Sequence, residues 1–130
     1  MLPELTAIAF SFTSLHIPYD EQNYVNPGIH LEAENYRAGI YRNSNRRDDL
    51  AHTTAYVGYS VPLGGVQTWG IPIHFGALLA LGSGYNSPIF GGLESRVGDR
   101  LVVLVAPYAG GDGGKPGAVL GFAYRIPIKW

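Results

Sequence analysis

Large apolar residues and small residues alternate strictly along the C-terminal segment of the chain. From residue 118 onwards, every second position belongs to the series Ala118, Leu120, Phe122, Tyr124, Ile126, Ile128 and Trp130. The positions between them carry Val119, Gly121, Ala123, Arg125, Pro127 and Lys129. A period of two is that of a β-strand, whose successive side chains point to opposite faces. The contrast between bulky and small faces predicts a strand in a narrow closed barrel or at a tightly packed interface.

The rest of the chain repeats this pattern and is poor in helix signals. Eighteen glycines and nine prolines among 130 residues disfavour helices along most of its length. Strand-like segments lie at 4–16, 28–36, 36–43, 52–61, 69–82, 87–96, 100–107 and 117–129. Turn-forming residues separate them at 26–28, 43–45, 62–65, 82–86, 98–99 and 110–117. We therefore expect an all-β fold, with residues 1–130 forming a single-domain antiparallel meander β-barrel of about eight strands.

Two kinds of barrel fit the alternation. In a soluble barrel the bulky faces form the core, whereas in a membrane barrel they face lipid around a small, polar interior. Nine tyrosines, two tryptophans and a charged fraction of only 15% favour the membrane barrel. Arg42, on a face that is otherwise apolar, and the short apolar runs favour a soluble barrel that packs on another subunit. The sequence analysis favours the soluble or assembled form and keeps the membrane form as the alternative.

Composition also excludes several function classes. The formal net charge is −1, and the pair Arg46-Arg47 is followed at once by two aspartates, so nucleic-acid binding is not expected. The chain has no cysteine, which excludes disulfides and thiolate metal sites. The glycine-rich segment 110–117 precedes a strand-like segment and has Pro116 where a phosphate loop needs Ser or Thr, so we interpret it as a hairpin loop. No cofactor is predicted.

Polar residues concentrate in the first third of the chain. The segment HIPYDEQNYVNPGIHLE at 16–32 is followed by AGIYRNS at 38–44. This combination resembles an uncharacterised family of small bacterial and phage β-barrel proteins. The resemblance covers about 35 residues. It implies a barrel fold and a site, and no activity comes with it.

A hydrolase is one interpretation of this region. His16, Asp20 and Ser44 are expected near the ends of neighbouring strands, where a serine nucleophile, a histidine base and an orienting aspartate could converge. The same residue types are common turn formers, and there is no GxSxG motif. We therefore assign no catalytic residue and treat these three only as candidates.

A binding site is the preferred interpretation of the polar region. Its expected residues are Asn23, Tyr24, Asn26, Glu32, Tyr41, Arg42 and Asn43. Glu32, Glu34 and Arg42, together with His30, His52 and His74, are expected to form a polar network, because unpaired buried charges are costly. The histidines lack an HxH or HExxH spacing, so no metal site is predicted.

The expected function is that of a non-enzymatic binding or assembly module that packs on itself or on a protein partner, with a phage particle as one candidate setting. An envelope β-barrel that binds lipid or a small molecule is the first alternative, and the hydrolase is the second. The opening segment MLPELTAIAFSFTSLH has no basic region and an early glutamate, so it does not read as a signal peptide. A cytoplasmic or virion-associated location is therefore expected ahead of the envelope.

Overall fold

The computed structural model is a closed barrel of eight antiparallel strands in meander order, and it describes residues 4–17, 25–43, 53–84, 88–108 and 117–128. The strands are β1 (Ala7–Ile17), β2 (Val25–Ala33), β3 (Tyr36–Arg42), β4 (Thr53–Thr68), β5 (Ile71–Gly82), β6 (Ile89–Val97), β7 (Leu101–Tyr108) and β8 (Gly117–Pro127). Strand β8 pairs with β1 and closes the barrel. The predicted all-β meander of eight strands is confirmed. No helix in the described ranges is long and apolar enough to cross a membrane.

The two ends of the barrel differ in the length of their connections. At one end of the barrel, short turns at 34–35, 69–70 and 98–100 join the strands. Strand β1 begins and strand β8 finishes at this same end. At the other end, the strands are separated by the longer segments 18–24, 43–52, 83–88 and 109–116. We call these the short-turn end and the long-loop end.

The bulky faces of the strands point outwards. Within the described ranges, twenty-one large hydrophobic side chains are exposed, including Val57 at 60% and Leu79 at 63%. Among the described residues, the only buried hydrophobic ones are Ala7, Ala9 and Ala80. Most of the other buried side chains are polar or charged. The barrel is therefore apolar on the outside and polar on the inside, the reverse of a soluble domain.

Two of the predicted turns are instead parts of strands. Residues Asn26-Pro27-Gly28 lie within β2, and Gly28 pairs with both Ser11 and Tyr41. The pairing of β1 with β2 is irregular beside Pro27, whose missing N–H cannot take part in a ladder. Closure of the barrel holds this segment extended despite its turn-forming residues.

The segment Pro62–Gly65 is the second such correction. It lies within the 16-residue strand β4 and shifts the pairing with β5 between Pro62 and Gly64, a β-bulge or irregularity. The reversal occurs instead at Trp69-Gly70, inside the range predicted as the fifth strand. Both residues have positive φ, 52° and 77°, as a two-residue hairpin turn of type I′ requires.

The β4–β5 hairpin extends past the barrel wall at the short-turn end. Strand β3 begins at Tyr36, opposite Tyr59, so residues 61–68 of β4 have no β3 residue beside them. Residues 61–72 are all exposed. This projecting hairpin carries no charged residue and ends in Trp69, whose side chain is 95% exposed.

Candidate functional site

The interior of the barrel holds a network of ion pairs centred on two glutamates. Glu94 accepts two hydrogen bonds from Arg37, one from Nε at 3.2 Å and one from Nη2 at 2.8 Å. Arg37 Nη2 also lies 3.6 Å from Glu32 Oε1. Arg37 Nη1 donates to the carbonyl oxygens of Glu34 and Tyr36, which ties the network to the β2–β3 turn. Glu32, Arg37 and Glu94 lie on β2, β3 and β6, so these contacts connect the three strands across the interior of the barrel.

Glu32 joins two further arginines to the network. Its Oε2 accepts a hydrogen bond from Arg125 Nε at 2.9 Å, and its Oε1 accepts one from Arg96 Nη2 at 2.9 Å. Arg125 Nη1 also donates to the carbonyl oxygen of Asp99. Three guanidinium groups therefore face two carboxylates. Arg96 Nε is buried and lacks a hydrogen-bond partner among the described residues.

A chain of neutral polar groups lies beside this network. His30 Nδ1 is 2.7 Å from the Tyr56 hydroxyl, and His30 Nε2 is 2.9 Å from Ser11 Oγ. Gly39 makes room for it, since a Cβ at that position would lie 2.8 Å from both His30 Nδ1 and Tyr56 Cε1. The ring of Tyr41 packs against those of His30 and Tyr56 at 5.7 and 6.0 Å. These contacts fix the His30 ring between the hydroxyl groups of Tyr56 and Ser11.

Two further polar contacts lie towards the long-loop end. Ser14 Oγ donates to Asn26 Oδ1 at 2.6 Å, and Asn26 Nδ2 donates to the carbonyl oxygen of Arg42 at 3.1 Å. Asn43 Nδ2 donates to Thr54 Oγ1 at 3.0 Å, and both of these side chains are almost fully buried. Polar contacts therefore extend along the interior from the short-turn end to the long-loop end. Apolar residues such as Leu78 and Leu104 hold other inward positions.

The structure separates the residues expected to form one binding site. Asn26, Glu32, Tyr41 and Asn43 point into the interior, whereas Arg42 lies on the outer face. Asn23 and Tyr24 lie outside the described residues, as do Asp20, Ser44 and His52. His16 belongs to β1, but its side chain is also outside the description, so the proposed meeting of His16, Asp20 and Ser44 stays a prediction.

The predicted charge network has a different membership in the structure. Glu32 and His30 are interior residues as expected, but Glu34 is exposed in the β2–β3 turn and His74 is exposed on β5. Arg37, Glu94, Arg96 and Arg125 were missed, although each occupies an inward position of its strand. The alternation within β3 already indicated the position of Arg37, because Arg37 and Gly39 share one face of that strand. In the described part of the chain, no group of three histidine or acidic residues is placed to hold a metal ion.

Arg42 is the exception on the outer face. Among the described strand residues, it is the one charged side chain at an outward position, and it pairs with Thr53 at the long-loop end of β3 and β4. Tyrosines mark the opposite rim: Tyr36 and Tyr59 pack edge to face at 5.1 Å, and Tyr124 pairs with the first residue of β7. All three tyrosines are exposed. The outer surface thus has an apolar band with tyrosines near one rim and a cation near the other.

No protein-family model, curated protein or solved structure matches the chain. The resemblance of residues 16–44 to the family of small bacterial and phage barrels therefore stays a prediction.

Proposed function

We propose that the protein is a membrane-embedded β-barrel of a cell envelope, with a network of ion pairs in its interior, that serves as a non-enzymatic binding protein for lipid. The observation that carries this proposal is the orientation of the strands. The bulky apolar residues surround the barrel, and the ion pairs lie inside it. We prefer this function to the soluble assembly module that the sequence favoured, because an apolar exterior of this extent needs a covering that water does not provide.

The dimensions of the wall support the proposal. Apart from β4 and β5, the strands contain between 7 and 11 residues, and tilted membrane strands need about 9–11. Short turns at one end, longer connections at the other and an even number of strands are typical of membrane barrels. Exposed tyrosines near one rim also fit the interfacial aromatic girdle of such proteins.

The ion pairs support it energetically. Charged side chains at membrane depth are tolerated where they face a protein interior and pair with one another. Of the six Arg and Glu residues in the described strands, five lie in the interior network, and the sixth, Arg42, is near a rim.

A substitution at an already exposed residue tests the proposal. In a membrane barrel, Val57→Arg, opposite Ala38 in the middle of β3, places a charge in lipid and is expected to lower the free energy of unfolding by about 2–4 kcal/mol. In a soluble barrel, the same change at an exposed position costs within about 0.5 kcal/mol. The measurement is urea unfolding of the protein folded in phospholipid vesicles.

Val66→Arg on the projecting hairpin is the matched control. Val66 is 55% exposed but lies outside the wall, so its replacement is expected to leave the unfolding free energy nearly unchanged. Equal and small effects at both positions would overturn the membrane barrel. Failure of the unsubstituted chain to fold in vesicles, with folding in detergent-free buffer, would do the same.

Self-association or binding to a protein partner is a second candidate function, favoured by the projecting hairpin. One edge of β4 is unpaired along residues 62–68, and such an edge can pair with a strand of another chain. Replacing residues 67–72 by Asn-Gly would join Val66 to Ile73, which already face each other. We expect the shortened chain to fold but to lose the cross-linked dimer or complex formed by the full chain in micelles. An unchanged cross-linking pattern would contradict this second function.

A further inference from the structure

We propose that the outer surface over β2, β3 and β4 binds an anionic phospholipid, with an acyl chain in an apolar hollow and the phosphate group at Arg42. This inference rests on the membrane-embedded barrel proposed above and specifies its ligand. The proposed lipid site lies on the outer wall of the barrel, and none of the residues of the interior ion-pair network lines it.

The hollow arises from small side chains on an otherwise bulky surface. Its first part, of about 550 Å³, has the outward side chains of Ala38 and Ala55 on its floor. Larger residues surround them: Ile29, Leu31, Ile40, Val57 and Leu81. Towards the short-turn end, the outward positions of β4 and β5 hold larger side chains, such as Leu79 opposite Tyr59. A shallow apolar depression in a lipid-facing wall is filled by the hydrocarbon chain of a lipid, since water gains no hydrogen bonds there.

A second part of the hollow lies on the long-loop side of the exposed pair Ile29 and Ile40. It measures about 620 Å³ and shares Ile29 and Ile40 with the first. Its lining ends at Arg42 and Thr53, which pair across β3 and β4. The two parts together run from apolar residues of β2, β3 and β4 to a cation at the long-loop end.

Charge complementarity identifies the occupant. Arg42 is exposed, and its side chain has no ion-pair partner among the described residues. A guanidinium group binds a phosphate through two parallel hydrogen bonds, and the Thr53 hydroxyl can supply a third donor. The depth fits as well, because Arg42 ends β3 at the rim, where lipid headgroups meet the wall. An amphiphile with one anionic head and an apolar tail matches both ends of the hollow.

The test compares lipid retention by variants assembled in nanodiscs of equal parts phosphatidylglycerol and phosphatidylcholine. Native mass spectrometry of the released barrel counts the lipids of each kind that stay bound. The unsubstituted protein is expected to retain phosphatidylglycerol in preference. Arg42→Gln is expected to reduce that preference about fivefold, the effect of one basic group near a membrane surface. Arg100→Gln, at an exposed residue of the short-turn end, is the charge-matched control and should leave it unchanged.

A second pair of variants tests the hollow. Ala38→Leu fills the floor and should reduce retention of both lipids, whereas Ala77→Leu, at an outward alanine outside the hollow, should not. Equal retention by the Arg42 and Arg100 variants, or by the two leucine variants, would overturn the proposal. Barrel assembly is scored separately from the heat-dependent shift in gel mobility. Failure of the unsubstituted chain to assemble would overturn the membrane function, while assembly without preferential retention would overturn only the lipid site.

Discussion

At the scale of single residues, Glu32 is the central group of the interior. It is 4% exposed and bridges Arg96 and Arg125, with Arg37 at 3.6 Å. Glu32→Gln would leave two buried guanidinium groups, of Arg37 and Arg125, and the partly buried one of Arg96 with Glu94 as the one carboxylate of the described interior. We expect the free energy of unfolding to fall by about 3–5 kcal/mol, the usual cost of removing one partner from a buried ion pair. Urea unfolding in vesicles measures it.

The neighbouring turn provides the control for this prediction. Glu34→Gln makes the same chemical change at an exposed side chain, and its carbonyl oxygen still accepts the hydrogen bond from Arg37. The expected effect is within about 0.5 kcal/mol. If Glu32→Gln cost no more than this control, the network would not stabilise the barrel as described.

Residue placement shows where sequence reasoning succeeded and where it did not. The alternation correctly placed His30 and Glu32 opposite Ile29 and Leu31, because strand parity alone decides which residues share a face. It could not decide which face points inwards, since a soluble barrel and a membrane barrel share the same alternation. The partners of Glu32 were missed because Arg96 and Arg125 lie 64 and 93 residues away along the chain. Their meeting depends on closure of the barrel.

At the scale of elements, the β4–β5 hairpin is the least conventional part of the molecule. Trp69 adopts a left-handed backbone conformation that bulky side chains rarely occupy, while its own side chain is almost fully exposed. Nothing in the fold of the barrel requires a tryptophan there. A strained and exposed aromatic residue is better explained by a contact outside the chain.

Trp69→Asn separates folding from that contact. The Asn-Gly pair is the preferred sequence of a type I′ turn, so the variant is expected to be as stable as the original protein, or more stable by up to about 1 kcal/mol. Its cross-linking to a second copy or a partner is expected to fall. Urea unfolding and cross-linking in micelles measure the two effects. A clear loss of stability would show that Trp69 serves the fold itself.

The same hairpin explains the limits of predicting elements from sequence. Pro62 and Gly65 are reliable turn signals, yet here they mark a shift in strand pairing, and the reversal falls at a tryptophan. Local chemistry gave an ambiguous answer because both positions tolerate a turn. The long pairing of β4 with β5 selects the later one. The extension of β2 across Asn26-Pro27-Gly28 has the same origin, since β1 and β3 hold the segment from both sides.

At the scale of the whole molecule, the proposed membrane barrel requires that the apolar exterior face lipid. The chain has no cysteine, so single cysteines can be introduced and spin-labelled without interference. Val57→Cys reports on the outer wall, Ser60→Cys on the interior and Val66→Cys on the projecting hairpin. Val57 and Val66 have similar exposure, 60% and 55%, so exposure to solvent alone does not distinguish them.

The decisive measurement is the collision of these labels with oxygen, which dissolves in lipid, and with a water-soluble nickel complex, recorded by electron paramagnetic resonance in vesicles. In the proposed membrane barrel, the Val57 label is expected to collide with oxygen and to be shielded from nickel. The Val66 label should show the reverse, and the Ser60 label should be shielded from both. A Val57 label as accessible to nickel as the Val66 label would contradict the membrane barrel, because the outer wall would then face water.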